Sequence, residues 1–361
     1  MSAHDKITVK PIVEVAEYLR NLIPAEMPAD YPLHPRFAGV AEEEKIRAGV
    51  CSFRDFLHTF FDYISAEGAV FAKPASKPGD MKDYPFLPNF TNLLVEMGYS
   101  AVLENDVLHV PILSLCCPSV NESGKKKSAK ISSASVKDCM QILAHCGFVF
   151  DGEDLGTAPT CATFPLAPNL LAGLKALALA DMELRQERRY WGDNHLLTCN
   201  YRLLMQKPGG TADIFKDFVH PLPAKIREFL LYLHTRYTEM GLACTKTTLS
   251  DVNFSYAWIS EKNREKLPRD KYAMRVFAFS YSIRNGYMLY VRAKKTAKYA
   301  DIIAAFPAFL QEKIEAGYGC YRKLGRTRCE GDCQGIALPV DENLLKNKNA
   351  IVQWLDREST K

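Results

Sequence analysis

Apolar side chains recur at helical spacing over residues 11–23, where Ile12, Val15, Ala16, Leu19 and Ile23 share one stripe. They do so again over 52–66, through Phe53, Phe56, Leu57, Phe60, Phe61 and Ile64. Each stretch predicts an amphipathic helix. The pattern stops over 69–88, where Pro74, Pro78, Pro85 and Pro88 predict a linker or irregular loop. Residues 89–97 predict a short helix ended by Gly98, and 102–115 hold two apolar runs suited to strands. A polar insert at 121–127 reads as a surface loop. Ser132 or Ser133 is placed to cap a helix running to His145, with Gly147 just beyond its end. Two further apolar runs, 148–150 and 160–164, flank Asp151-Gly152 and predict a hairpin. Helix, helix, hairpin is the order of a winged helix-turn-helix.

Residues 169–189 predict another helix, with Leu170, Leu174, Leu177 and Leu184 on one stripe, and 196–204 suit a strand or a short helix. Pro208-Gly209-Gly210 and Pro221-Leu222-Pro223 punctuate the chain, which places a boundary near 221. Beyond it, Ile226, Phe229, Leu230, Leu233, Tyr237 and Met240 predict a helix over 224–241, with Gly241 as its cap. Residues 274–283 and 287–293 are β-rich and joined by Asn285-Gly286, which selects a two-residue type I′ hairpin. That turn sets Arg284 opposite Tyr287. One face then carries Phe277, Phe279, Tyr281, Ile283, Met288, Tyr290, Arg292 and Lys294. Such a face is either a core surface under the flanking helices or a stacking platform for single-stranded nucleic acid. A helix over 297–316 broken by Pro307, a strand over 335–340 and a helix over 342–357 complete the chain. The expected class is α+β: a mainly helical N-terminal part with a winged-helix-like segment, then a small antiparallel sheet packed by helices. The expected divisions are 1–85, 86–221 and 222–361.

Composition narrows the setting. The chain has 361 residues, 47% hydrophobic and 24% charged, as in an ordinary folded protein. Its 11 cysteines are too sparse for a disulfide scaffold. No apolar run is long enough to span a bilayer, and residues 1–6 lack the apolar core of a signal peptide. These features predict a cytoplasmic protein without membrane partners. Charge is unevenly spread. Residues 1–221 carry 22 Lys+Arg against 27 Asp+Glu, a net of −5, and residues 222–361 carry 24 against 15, a net of +9. The second part therefore has the better claim on a polyanionic partner.

The most site-like group is Cys320, Cys329 and Cys333, spaced Cys-x8-Cys-x3-Cys. Three thiolates on one loop suit structural zinc, with Cys244 as fourth ligand or Glu330 or Asp332 in its place. The same three residues also suit reduced thiols in a loop, or a redox pair. Basic residues offer nucleic-acid or anion contacts in two places. Lys125, Lys126 and Lys127 precede the helix of the winged-helix-like segment, and Arg292, Lys294, Lys295, Arg326 and Arg328 lie along the C-terminal part. Trp258, Tyr281 and Tyr290 are candidates to line a pocket beside the 274–293 hairpin. Signatures of the common nucleophile elbow, P-loop, dinucleotide fold and zinc peptidase are missing from the sequence.

Leu197-Thr198-Cys199-Asn200-Tyr201-Arg202 and the tail Cys329-Glu330-Gly331-Asp332-Cys333-Gln334-Gly335 resemble segments of a family of uncharacterised bacterial cytoplasmic proteins. That family has a helical N-terminal part and a Cys-bearing α+β C-terminal part. The resemblance covers about the last half of the chain and implies no established activity. The sequence therefore predicts a non-enzymatic interaction or regulatory protein, with nucleic acid or another protein as partner. The alternative is a small-molecule binder or enzyme with a pocket in the C-terminal part.

Overall fold

The computed structural model describes residues 12–71, 86–112, 133–151, 160–186, 195–206, 211–248, 252–258, 275–283, 285–292, 300–315 and 336–360. The chain is α+β and divides into two units, Met1–Gly209 and Gly210–Lys361.

The first unit holds α1 (Ile12–Arg20), α2 (Glu43–Ala66), α3 (Gly68–Phe71), α4 (Phe86–Ser100), β1 (Val102–Glu104) and β2 (Val107–Val110). These are followed by α5 (Ser133–His145), β3 (Val149–Asp151), β4 (Thr160–Thr163) and α6 (Leu170–Gln186), with a 3-10 turn at Tyr201–Leu204. Helix α2 begins well before the predicted 52, with Glu43 and Glu44 in a first turn where negative charge is favoured. Its phenylalanine stripe is fully buried. Phe60 stacks on Phe90 of α4 at 4.2 Å, and Phe56 meets Phe148 edge-on at 5.3 Å.

Gly98 does not end α4, which runs on to Ser100. A Cβ at Gly98 would lie 2.4 Å from Ala178 Cβ and 2.9 Å from the Leu174 carbonyl oxygen. The glycine is there so that α4 can approach α6. A tighter seam joins α6 to α2, where a Cβ at Gly49 would lie 2.1 Å from the Asn169 oxygen. One at Gly173 would lie 2.2 Å from the Gly49 carbonyl carbon. Helix α6 is thus the strut on which α2 and α4 both rest. Gly147 does act as a cap. Its φ is +106°, and the Phe148 N–H donates to Leu143 and the Gly147 N–H to Ala144, a Schellman ending.

The sheet of this unit has the order β1-β2-β4-β3, every pair antiparallel. Asn105 and Asp106 turn β1 into β2 with φ of +48° and +60°, the left-handed pair that a tight hairpin needs. Leu108, Val110 and Ala162 point into the core, whereas Val102 and Val149 on the opposite face are about half exposed.

The second unit holds α7 (Thr211–Val219), α8 (Ala224–Glu239), β5 (Ala243–Thr248), β6 (Val252–Ala257), β7 (Arg275–Ser282) and β8 (Gly286–Val291). Then come α9 (Ala300–Ala304), α10 (Ala308–Glu315), β9 (Ile336–Pro339), α11 (Glu342–Lys346) and α12 (Lys348–Ser359). Pro307 separates α9 from α10, as its ring demands. Gly241, at φ +101°, closes α8 with the same Schellman bonds.

The five strands form one antiparallel meander, β5-β6-β7-β8-β9. Strands β5 and β6 have no counterpart in the sequence reading, although Val252, Phe254 and Tyr256 alternate with Asn253 and Ser255 as a half-buried strand should.

The β7–β8 register also differs from the expected one. Phe277 faces Val291, Phe279 faces Leu289, Tyr281 faces Tyr287 and Ser282 faces Gly286. Gly286 is therefore not the second residue of a two-residue turn but the first residue of β8, at φ +63°. The Asn285 N–H is taken up by the Ser282 hydroxyl at 3.1 Å, which favours the longer loop. The pairing is displaced by three residues, an odd number, and every side chain of β8 changes face.

One face therefore carries Phe254, Tyr256, Phe277, Phe279, Tyr281, Tyr287, Leu289 and Val291. It is the core, covered by helices. Phe215 of α7 meets Phe254 at 5.1 Å and Phe279 at 5.6 Å, and Tyr237 of α8 meets Phe277 at 5.0 Å. The other face carries Asn253, Ser255, Ala278, Ser280, Ser282, Met288 and Tyr290. No described helix is long and apolar enough to cross a membrane.

Candidate interaction site in the C-terminal unit

Arg275 and Arg292 lie at one end of the polar face. Arg275 opens β7 opposite Ala257, next to an irregularity at Tyr256/Ala257 that inserts Val276 into the ladder. Arg292 follows β8, and its backbone N–H donates to the Val276 carbonyl at 2.8 Å. Two residues from Tyr290, it falls on the same side of the sheet as Ser280 and Ser282. Both arginines are almost wholly buried, at 3% and 5% exposure. A guanidinium carries its donors in a planar fork, the geometry that carboxylate and phosphate accept.

Cys244 sits on the covered face instead. It pairs with Tyr256 across β5 and β6, and its thiol hydrogen-bonds the Tyr256 hydroxyl. That hydroxyl is 2.7 Å from His234 Nδ1 on α8, and the imidazole stacks on Phe215 at 4.5 Å. Burial pushes the Cys244 thiol up to about 12, partly offset by the Tyr256 hydrogen bond. Burial also lowers His234 and raises Tyr256, so the thiol stays protonated and the imidazole neutral. With a neutral imidazole accepting at Nδ1, Tyr256 donates to His234, and the same hydroxyl is the hydrogen-bond partner of Cys244. The trio satisfies its polar atoms internally, which is how a core retains polar groups.

Trp258 donates its indole N–H to the Ser359 carbonyl at 2.9 Å and thereby ties the end of β6 to the end of α12. Tyr281 stacks on Tyr287 at 4.0 Å on the core face, where the Tyr287 hydroxyl donates to the Phe218 carbonyl at 2.8 Å. Tyr290 is on the opposite face. The sheet itself separates Tyr281 from Tyr290, so these two do not line one cavity.

Cys320, Cys329, Cys333, Lys125, Lys126, Lys127, Lys294, Lys295, Arg326 and Arg328 lie outside the described residues. Among the described residues, no three metal-ligating side chains gather. Two constellations escaped the sequence reading because their members are far apart in the chain. Arg236 of α8 grips both carboxylate oxygens of Asp356 on α12, at 3.2 and 2.8 Å, and the Tyr237 hydroxyl donates to the same carboxylate at 2.9 Å. In the first unit, His109 of β2 meets Cys161 of β4. Searches with this chain found no matching family model, no matching curated protein and no matching solved structure.

Proposed function

We propose that the protein is a non-enzymatic binding protein whose basic C-terminal unit engages nucleic acid through phosphate contacts. The observation that carries this reading is the charge of the second unit, in which Arg292 is followed in sequence by Lys294, Lys295 and Lys298. Residues 210–361 hold 25 Lys+Arg against 17 Asp+Glu, and residues 1–209 hold 21 against 25. A net of +8 on one unit and −4 on the other directs a polyanion to the second. In this reading Cys320, Cys329 and Cys333 hold a structural zinc beside Arg326 and Arg328, and the winged-helix-like segment of the first unit serves a partner protein.

Fluorescence anisotropy of labelled single- and double-stranded oligonucleotides tests the reading. Affinity should fall steeply as salt rises from about 50 to 200 mM, and Lys294→Glu with Arg326→Glu should weaken it about tenfold. The absence of binding to any strand at low salt sinks the proposal. Elemental analysis of the purified chain should find close to one zinc, lost in the Cys329→Ser, Cys333→Ser variant; folded, zinc-free protein removes that part.

A further inference from the structure

His109 and Cys161 are direct partners across the β2–β4 ladder, and Cys161 Sγ is 3.4 Å from His109 Nδ1. Direct partners in an antiparallel pair project to the same face. Here it is the face turned away from the core. Val102 stands beside His109 and is 55% exposed, and Val149, beside Thr163, is 53% exposed. Both members of the pair are half-buried, so they are held by their neighbours yet reachable from solvent. Asp151 is the partner of Cys161 on the other side, and Glu104 lies two residues along from Val102 on the same face. The row is Val102, His109, Cys161, Asp151, read across four adjacent strands.

A thiol within hydrogen-bond reach of an imidazole is the arrangement that lets a cysteine lose its proton as it attacks. The other described cysteines of this unit are placed differently. Cys139, Cys146 and Cys199 are buried. Burial pushes Cys139 up to about 12 and Cys146 to about 11, raises Cys199 further, and raises half-buried Cys51 as well. Among the described residues, no imidazole meets the sulfur of any of these four, whereas Cys199 donates to the Val50 carbonyl at 3.7 Å.

We propose that Cys161 and His109 form a reactive-thiol site on the open face of the four-stranded sheet, modified by exchange with low-molecular-weight disulfides. Cys161 Sγ attacks one sulfur of the disulfide, and its proton passes to His109 Nδ1. The Sγ–S bond forms as the reagent's S–S bond breaks. The departing half leaves as a thiolate and takes the proton from His109 as a thiol. Cys161 is oxidised to a mixed disulfide and the reagent disulfide is reduced, with no further reactant. The exposed valines on either side give the incoming group an apolar footing. The site is independent of the C-terminal unit and stands whether or not that unit binds nucleic acid.

The test is to treat the reduced, full-length chain with glutathione disulfide at neutral pH and follow each cysteine by peptide mass spectrometry. Cys161 should be modified ahead of Cys51, Cys139, Cys146, Cys199 and Cys244. His109→Gln and His109→Asn should each slow Cys161 about a hundredfold, the lower end of what a positioned base supplies. Cys161→Ser should remove the modified peptide and leave the circular dichroism spectrum unchanged. Wild-type rates in both His109 variants overturn the proposal. So does modification of Cys161 no faster than that of Cys139 in the unaltered protein, a result that does not depend on how any variant folds.

Discussion

The two sheets are built from the same antiparallel pairing but meet water differently. In the first unit, burial alternates along the strands. Leu108 and Val110 of β2 are buried while Val107 and His109 are not, and Thr160 and Ala162 of β4 are buried while Cys161 and Thr163 are not. In the second unit, every residue of β7 from Arg275 to Ser282 is buried, so the central strand is covered on both faces. An antiparallel sheet allows either arrangement. The consequence for chemistry is direct. A cysteine beside a histidine on the open face remains within reach of reagents. A cysteine on the covered face, Cys244, is enclosed with Tyr256 and His234 and must find its hydrogen bonds inside.

The largest expected effect comes from removing what the open sheet's helices rest on. Gly173→Val places a branched side chain where even a Cβ meets the Gly49 backbone at 2.2 Å. Backbone cannot yield as a side-chain tip can, so α2 and α6 must separate, at a cost of about 3 kcal/mol or more. Urea unfolding followed by peptide-resolved hydrogen exchange should show protection lost in α2, α4 and α6, with α8 and β7 unaffected. Retained protection in α2 refutes the seam.

The next effect separates the covered cysteine site from the open one. Tyr256→Phe removes the hydroxyl that serves both His234 and Cys244 and leaves a buried imidazole nitrogen unsatisfied. It should cost about 1–3 kcal/mol. Cys161→Ser on the open face should change stability by no more than about 0.5 kcal/mol. Equal costs at the two sites, read from urea midpoints, would erase the distinction between the faces.

Acid should widen the contrast further. Burial lowers His234, so the unfolded chain binds a proton there before the folded one does. Stability from this group is fully present above the ordinary histidine range, near 6.5, and is lost as pH falls below it. Exchange protection of α8 peptides should decline between pH 7.5 and 5, and His234→Asn should flatten that decline. A decline of the same size in the variant assigns it to other groups. The smallest effect belongs to the exposed valines. Val102→Thr and Val149→Thr should each stay within about 0.5 kcal/mol, because neither side chain is buried.

Much of the helical framework was legible. The stripes at Ile12–Leu19, Phe53–Ile64 and Ile226–Tyr237 are buried as the periodicity predicts, and Gly147 and Gly241 cap helices as their positions suggest. These signals are local, carried by residues within a turn or two of one another. Gly98, Gly49 and Gly173 were not legible, because a glycine at a helix crossing looks like any other until the second helix arrives. Of the candidate site residues, Arg292 was placed on the wrong neighbours by a register error of three, while Cys244 lies on the covered face beside Tyr256. The signal for β6 was present in the alternation of Val252, Phe254 and Tyr256 but was outweighed by the stronger hairpin beside it.

By itself, the amino-acid order determined most of the helices and the strands of the strongest hairpin, which side of most helices is apolar, and how charge divides between the two units. It could do so because hydrophobic periodicity, capping and net charge are sums over near neighbours. Only the tertiary structure decided which face of β8 joins the core and which glycines admit a second helix. It alone decided that His109 should meet a cysteine 52 residues away. Those outcomes depend on strand register and helix approach, which are fixed by packing the whole unit at once and leave no mark at any single position.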